Sequence, residues 1–519
     1  MRPDGEGHEG LEESLTVSAP PFFAIDPRST LPKPTLRCSN APPSSEDVYG
    51  VRKGDRGTIC SHNCPNYLVV FWACHLLGAV TALVNILLPL DPLRHCIMLT
   101  KCTLIVLDAE RADEIEPIGA ELRLASGASA YLVLEDHEGK GHWEGMNTWS
   151  AVFSRYSTDH RDVLNEDPQI SPEDDATIVF TSGTTGLPSS SSMTLFVQQG
   201  VLSSQRAFLT PISNMISLAG RGCLRRGEPF PPTVAVSSGL QEGSLIARML
   251  SQAPLIILTM ITALRGRKVV LTRSWNMNDE NIVGLAGTPS IIRELEESAV
   301  PGISIKNIGY GGTPMAASQL QSFKEAFPLA TFVQLYGLTE MNAAAVGSSG
   351  PDCDARPDSC GWVFPVGEVM IMKDGVKAAP GAVGEIWLRG PNMMKGYYGD
   401  QDGWLMTGDL GRLDNDGYVY ITDRIKDIVS RDDSVFVENA LYTEPGVLET
   451  AVVGVPDERA GELPVALVSF KHGYNRLINE EKLMVTARKL EYHTDSGKII
   501  KTELRVVAQR EWSRRTRKE

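Results

Sequence analysis

One short segment of the sequence combines residue types that could bind phosphate. Residues 181–188 read Thr-Ser-Gly-Thr-Thr-Gly-Leu-Pro and follow an apolar run at 176–180, which is typical of a buried β-strand. Glycines let backbone N–H groups approach phosphate oxygens closely, and serine and threonine hydroxyls donate further hydrogen bonds. The segment therefore predicts a phosphate-binding loop, with a polar surface loop as the alternative. It differs from a Walker A loop because no lysine follows its glycines.

Other residues with useful chemistry follow this loop in order along the chain. Tyr336 begins the sequence YGLTE, Thr407 begins TGD, Asp423 begins DRIKD, and residues 496–499 read SGKI. Taken singly, the tyrosine would be a core residue and the charged groups would be solvated surface residues. Aromatic rings can also stack on a base, carboxylates can bind ribose or Mg²⁺, and lysine can neutralise phosphate. Taken together, the set predicts a nucleotide site.

The ordered motifs resemble those of the adenylate-forming (AMP-binding) superfamily, most closely its acyl-CoA synthetase and 4-coumarate–CoA ligase branch. The resemblance also includes GGTPM at 311–315 and GEIWLRG at 384–390, and it covers most of residues 51–519, with a weak patch at 190–275. It implies an AMP-forming acid–thiol ligase, in which ATP and a carboxylic acid form an acyl-adenylate and coenzyme A accepts the acyl group. An adenylation domain that loads a separate carrier protein is an alternative.

The resemblance implies which residues bind ATP. The loop hydroxyls and amides would hold the phosphates, Tyr336 would present a flat face to adenine, and Asp409 and Arg424 would bind the ribose hydroxyls. The implied nucleotide-binding residues are Thr181, Ser182, Gly183, Thr184, Thr185, Gly186, Gly311, Gly312, Thr313, Tyr336, Gly337, Asp409 and Arg424.

The resemblance also implies the catalytic residues, which are Thr339, Glu340 and Lys498. Thr339 would donate to a phosphate oxygen, and Glu340 would hold Mg²⁺, a hard cation that prefers oxygen ligands. Lys498 would neutralise the charge that builds on the α-phosphate. Lys426 would be the hinge about which a small domain rotates, withdrawing Lys498 and admitting the thiol.

Three departures from the family pattern bear on activity. Ser189 stands where the phosphate loop of relatives usually has lysine, which predicts ATP binding weaker by about 1–3 kcal/mol. Asp432 and Asp433 stand near the expected thiol channel, where their charge would repel the phosphates of coenzyme A. Residues 470–495 also form a shorter segment than relatives have. These departures leave open an alternative, a nucleotide-binding paralogue with impaired catalysis.

The elements that must position these residues are predicted from the spacing of apolar residues. Helix-like and strand-like segments alternate after residue 54, which indicates an α/β fold, and short strands at 384–388 and 417–421 indicate a β-rich subdomain. Residues 186–232 show no sustained period and are predicted to be irregular. The expected domains are a loose leader at 1–50, a large AMP-binding N-terminal domain at 51–423, and a small, mobile, shortened α+β C-terminal domain at 424–519.

Composition and charge exclude several classes of protein. The chain has 519 residues, of which 42% are hydrophobic and 22% are charged, as in soluble globular proteins rather than collagen-like or disordered chains. Its 64 acidic and 49 basic residues give a net charge of −15, so nucleic acid is not an expected partner. The expected partner is a small carboxylic acid, whose identity the sequence does not predict.

Two apolar runs raise the question of a membrane. Residues 67–90 and 245–264 each reach about 20 residues, the length of a span. Each is predicted to be buried helix and strand of the α/β fold, and a membrane protein with two spans is the alternative. The N-terminus lacks an apolar signal core and the C-terminus lacks a peroxisomal tripeptide, so an intracellular, cytoplasmic location is expected.

The nine cysteines do not follow a disulfide or zinc-finger pattern. Cys60, His62 and Cys64 could contribute to a zinc site, but no second ligand pair follows at a suitable spacing. Three cysteines in apolar runs are predicted to be buried thiols: Cys74, Cys96 and Cys102.

Overall fold

In the computed structural model, the residues described are 16–17, 49–156, 168–181, 199–229, 243–246, 252–264, 267–271, 282–298, 304–313, 315–395, 403–425, 438, 441–442, 446–457, 461–470, 486–487 and 504–510. Within these ranges the chain forms sheets of eight, seven, five and three strands. Helices pack against the two largest sheets, whose apolar residues form the main cores.

The first α/β unit is a seven-stranded sheet. The first strand of the chain, β1 (Thr16–Val17), belongs to the second unit. The strands of the first unit are β2 (Arg56–Cys60), β3 (Val80–Leu83), β4 (Leu104–Leu107), β5 (Ala130–Val133), β6 (Asn147–Thr148), β7 (Asp175–Thr181) and β8 (Gln199–Ser204). Their spatial order is β6-β5-β4-β2-β3-β7-β8, parallel except for β8. The helices of this unit are α1 (Pro65–Leu76), α2 (Leu90–Thr100), α3 (Ala109–Ile115), α4 (Gly119–Ser126) and α5 (Trp149–Tyr156). The strand predicted at 176–180 is confirmed as β7.

The second unit is an eight-stranded sheet that includes β1. Its other strands are β9 (Gly243–Ile246), β10 (Lys268–Leu271), β11 (Ile282–Gly287), β12 (Asn307–Gly311), β13 (Thr331–Tyr336), β14 (Val346–Ser349) and β15 (Trp362–Val363). Their order is β1-β10-β9-β11-β12-β13-β14-β15, and the run from β10 to β13 is parallel. The helices are α6 (Gln205–Arg226), α7 (Ala253–Leu264), α8 (Pro289–Ser298), α9 (Ala317–Ala326) and α10 (Pro351–Ala355).

The prediction that residues 186–232 are irregular is wrong over the part that the structure describes. That part contains β8 and the long helix α6, which begins after Ser204 and ends before Gly227. The Ser204 hydroxyl caps the helix by accepting a hydrogen bond from the Ala207 amide at 3.1 Å. Internal glycines and Pro211 lower the helix propensity of the sequence, and packing against β14 and α7 outweighs that loss.

Both apolar runs divide into separate elements, as predicted. Residues 67–90 contain most of α1 and then β3, with a break at Gly78, whose φ of +70° suits glycine. Residues 245–264 contain the end of β9 and then α7. In the described ranges, no helix has the length and apolar content needed to cross a membrane.

The remaining strands confirm the predicted β-rich subdomain. It is an antiparallel sheet of β16 (Glu368–Lys373), β17 (Val376–Lys377), β18 (Gly384–Arg389), β19 (Leu405–Leu413) and β20 (Val419–Arg424), in the order β17-β16-β18-β19-β20. The C-terminal unit contains β21 (Val447–Asp457), β22 (Gly461–Phe470) and β23 (Thr486–Ala487). Helical residues 504–510 pack on it through Leu504 and Ala508. The expected α/β class with a small C-terminal unit is therefore confirmed.

The cysteines that the structure describes are free thiols. The predicted burial of Cys74, Cys96 and Cys102 is confirmed, and burial raises the pKa of Cys74 to about 12. His62 lies with its Nδ1 at 2.6 Å from a carboxylate oxygen of Asp108. Within the described ranges, no cysteine belongs to a group of three or more potential metal ligands.

The buried His75 is expected to make the stability of the core sensitive to acid. Its ring packs against those of Phe71 and Phe208, with centroids at 4.4 and 5.5 Å, and burial lowers its pKa from 6.5 to about 4. The unfolded chain therefore binds a proton more readily, and stability is lost as the pH falls from 6.5 towards 4. Relative to His75→Gln, the wild-type free energy of unfolding should fall by about 3 kcal/mol between pH 7 and pH 4, measured by urea titration. Parallel pH profiles for the two proteins would contradict this account of the core.

Candidate functional site

The carboxyl ends of β12 and β13 bring two predicted motifs together. The strands are parallel neighbours, and Gly311 is in register with Leu335. A β-carbon on Gly311 would lie 2.4 Å from the Leu335 carbonyl oxygen, so only glycine permits this close approach. Gly312 follows with φ of +82°, which turns the chain towards Thr313. The segments around Gly311 and Tyr336 therefore open at the same sheet edge, where ligands commonly bind α/β proteins.

Tyr336, Asp409 and Arg424 form one contact group. The Tyr336 hydroxyl donates a 2.9 Å hydrogen bond to one oxygen of Asp409, and the Arg424 Nε lies 2.9 Å from the other. Asp409 and Arg424 are register partners on β19 and β20, which fixes their separation. Only 7% of Tyr336 and 3% of Asp409 is exposed. Burial and the neighbouring carboxylate both raise the pKa of Tyr336, so the phenol remains a neutral donor.

The backbone around Asp409 is held by side chains that sequence analysis did not select. The Asp409 amide donates to the Thr407 hydroxyl at 3.0 Å, and that hydroxyl donates to the Ile386 carbonyl at 2.7 Å. The Gly408 amide donates to a Glu385 oxygen at 3.1 Å, and the φ of +69° at Gly408 favours glycine at this position. Thr407 and Glu385 lie inside the TGD and GEI motifs, which is the signal that could have identified them.

Thr339 and Glu340 lie on a short turn directly after β13. Residues Thr339–Met341 form a 3₁₀ turn, and the side chains of both Thr339 and Glu340 are partly exposed. Gly337 allows the turn to fold back, because a β-carbon there would lie 1.9 Å from the Ala343 carbonyl oxygen. The turn thus presents a hydroxyl and a carboxylate beside the Tyr336 group. These are oxygen donors of the kind that phosphate-bound Mg²⁺ takes.

The phosphate loop is described only at its start. Thr181 is the last residue of β7, where it pairs with Gln199 of β8. The rest of the predicted loop lies outside the described residues: Ser182, Gly183, Thr184, Thr185 and Gly186. The parallel strand β3 beside β7 also ends at this edge, so Thr181 lies at the carboxyl side of the sheet.

The predicted hinge and catalytic lysine also lie outside the described residues, as do Ser189 and the two aspartates. Lys426 follows the last described residue of the β-rich subdomain, and Lys498 precedes the helical residues 504–510. The C-terminal unit contacts the large unit at α9, where the Ser318 hydroxyl donates to the Tyr442 carbonyl at 3.3 Å. The roles of Lys426 and Lys498 remain predictions.

Known proteins resemble this chain in sequence. The chain is 31% identical over 337 residues to 4-coumarate–CoA ligase-like 9 of Arabidopsis thaliana, and the match covers 61% of this chain and 56% of that relative's length. It is 26% identical over 501 residues to 4-coumarate–CoA ligase 3 of Oryza sativa subsp. japonica, covering 88% of this chain and 83% of the relative.

A solved structure shows the same architecture. It is o-succinylbenzoate coenzyme A synthetase from Bacillus subtilis in complex with ATP and magnesium ion, at a TM-score of 0.64 and 22% identity, covering 88% of this chain and 90% of that chain. The family model described as AMP-binding enzyme matches residues 48–398, and that of the AMP-binding enzyme C-terminal domain matches residues 437–510. The resemblance seen in the motifs is therefore confirmed, and the chain belongs to the AMP-binding enzyme family.

Proposed function

We propose that this chain activates a carboxylic acid with ATP and then transfers the acyl group to coenzyme A. The observation that carries the proposal is the buried Asp409, held between the Tyr336 hydroxyl and Arg424. A carboxylate fixed beside the carboxyl end of β13 is suited to accept hydrogen bonds from the two ribose hydroxyls. Family membership and the ATP in the solved relative support the same assignment.

In the first half-reaction, an oxygen of the acid attacks the α-phosphorus, and the bond to pyrophosphate breaks. The protein's task is to orient the reactants and to neutralise charge. Asp409 and Arg424 would fix the ribose, while the hydroxyls of Thr181 and Thr339 would contact phosphate oxygens. Glu340 would hold Mg²⁺, which supplies further charge neutralisation when bound. The partly exposed Glu340 beside Thr339 fits that ion, since both offer oxygen.

In the second half-reaction, the thiol of coenzyme A attacks the acyl carbonyl carbon and AMP leaves. We assign the large unit at 51–423 to nucleotide and acid binding and the unit at 424–519 to the lid. Rotation at Lys426 would move Lys498 away from the nucleotide and open the entrance through which the thiol reaches the acyl group. The acid would be a small molecule, and its class would be set by residues in the weakly matching stretch.

A second candidate is a nucleotide-binding protein with impaired catalysis. It is favoured by Ser189, which removes a cation from the phosphate loop, and by Asp432 and Asp433, which add negative charge where coenzyme A would enter. ATP binding by calorimetry without pyrophosphate release would support this candidate. Acyl transfer to a carrier protein but not to coenzyme A would instead support the adenylation-domain alternative.

The variant Lys498→Ala tests the assignment of the two half-reactions. We expect pyrophosphate release with a panel of aromatic and aliphatic acids to fall about 100-fold, because one charge-assisted contact to the transition state is lost. Thioester formation from a supplied acyl-adenylate should change by less than about threefold, since the lysine acts before that step. Equal losses in both assays would contradict the proposed division of roles.

A further inference from the structure

We propose that Asn342 and Asn392 form a buried clamp that positions Thr339 and Glu340 for phosphate and Mg²⁺. The residues after Asn392 also join this turn to β7 and β8. The inference rests on the proposed function, because it concerns the same site. It identifies positioning residues, which act through the groups that touch the ligand.

The turn after Tyr336 is held in an unfavourable conformation. Asn342 has φ of +52°, and Ala343 follows with φ of +124°, a value that a residue with a β-carbon rarely adopts. Two successive residues with positive φ fold the chain back onto Gly337, whose missing side chain leaves room for the Ala343 carbonyl. Strained backbone persists only where surrounding contacts fix it, and such sites are often functional.

The contacts that fix the turn come from two buried amides. Asn392 donates through Nδ2 to the carbonyls of Met341 at 2.9 Å and Ala344 at 3.4 Å. In return, Asn342 donates through Nδ2 to the Asn392 carbonyl at 3.0 Å. Each asparagine is 1% exposed. The two side chains thus bracket the strained residue from both sides.

The Asn342 side chain makes one buried hydrogen bond and leaves one buried oxygen without a partner in the part of the chain that the structure describes. Its Oδ1 is buried and has no hydrogen-bond partner among the described residues, which is unfavourable for folding. Glycine would adopt φ of +52° without burying that oxygen. What the amide adds over glycine is the hydrogen bond from its Nδ2 to the Asn392 carbonyl, which ties the turn to the segment after Asn392.

The segment after Asn392 reaches the antiparallel pair of β7 and β8. The Met394 amide donates to the Glu340 carbonyl at 2.7 Å, and the Lys395 amide donates to the Leu202 carbonyl at 2.9 Å. The Lys395 ammonium lies 2.6 Å from an oxygen of Asp175, the first residue of β7. Four consecutive residues from Asn392 therefore connect the Glu340 turn to both strands of this pair. Asp175 begins β7 and Leu202 pairs with Ile178, so these contacts anchor the turn on the strands themselves, away from Thr181 at the other end of β7.

The variant Asn392→Ala is expected to loosen the Glu340 turn. The Mg²⁺ concentration for half-maximal pyrophosphate release should rise about tenfold and kcat should fall, while the KM of the acid should stay within about twofold. The matched control is Ser359→Ala, which removes two buried hydrogen bonds elsewhere in the fold. The Ser359 hydroxyl donates to the Val419 carbonyl and accepts from the Gly361 amide. Both variants should lower the melting temperature, but only Asn392→Ala should change the Mg²⁺ requirement. Equal Mg²⁺ requirements in wild type and both variants would overturn the proposal.

Two further arms separate this proposal from the proposed function. If wild type binds ATP but releases no pyrophosphate with any acid, the proposed function is wrong, and calorimetry then tests the clamp separately. Asn392→Ala should weaken ATP binding in the presence of Mg²⁺ about tenfold, and an unchanged affinity would overturn the clamp proposal. If Asn392→Ala does not fold, Asn342→Gly replaces it. Loss of the Asn342 amide should raise the Mg²⁺ requirement or lower the Mg²⁺-dependent ATP affinity about threefold, and wild-type values would overturn the clamp.

Discussion

Replacing Asp409 with asparagine is expected to lower kcat/KM for ATP at least about 100-fold. The substitution keeps the shape of the side chain but removes the charge of a residue that is only 3% exposed. Arg424 would lose its partner at 2.9 Å, and the amide would present a donor where an acceptor for a ribose hydroxyl is needed. Steady-state pyrophosphate release at varied ATP measures the loss.

The matched control for that variant is Asp414→Asn. Asp414 also pairs with an arginine, Arg356, and belongs to the turn after β19, outside the proposed site. It should leave kcat/KM for ATP within about threefold of wild type, even where it lowers the melting temperature. Similar losses of activity in the two variants would show that a folding defect, rather than a ribose contact, explains the effect of Asp409.

Replacing Gly337 with alanine is expected to abolish ATP binding and to destabilise the fold by about 4 kcal/mol or more. The added β-carbon would lie 1.9 Å from the Ala343 carbonyl oxygen and 2.6 Å from the Ala344 Cα. Both are backbone atoms, so no side-chain rotation can relieve the clash. The turn that carries Thr339 and Glu340 would have to move. Urea unfolding and ATP calorimetry measure the two effects.

The control is Gly119→Ala at the start of α4, where the added carbon would meet nothing closer than the Met146 Cε at 3.5 Å. Alanine favours helix more than glycine does, so stability should stay unchanged or rise by about 0.5–1 kcal/mol. ATP binding should match wild type. A folded Gly337→Ala protein with wild-type ATP affinity would contradict the described course of the turn.

Local sequence patterns predicted much of the fold because the buried strands are apolar and short. Within the predicted alternation after residue 54, the apolar residues Leu104–Leu107 form β4, and every residue of that strand is buried, as parallel strands require. The helix at Gln205–Arg226 was not predicted, because its glycines and Pro211 obscure the helical period. Its formation depends on tertiary packing, which a local pattern does not contain.

The site was predicted through its motifs, whereas the contacts within it were not. The hydrogen bond from Tyr336 to Asp409 joins residues 73 positions apart, and that from Asn342 to Asn392 joins residues 50 apart. No periodicity in the sequence relates such distant positions. The turn at Gly337 could be identified as a motif, but the reason for its glycine lies in the approach of Ala343, which only the folded chain reveals.

The most direct test of the central claim is acid-dependent exchange between ATP and labelled pyrophosphate. The exchange reports reversible adenylate formation and does not require coenzyme A, so Asp432 and Asp433 do not affect its interpretation. We predict exchange with at least one acid of an aromatic and aliphatic panel, and a loss of about 100-fold in Asp409→Asn. Wild-type protein that is folded and binds ATP, yet shows no exchange with any acid, would contradict the account.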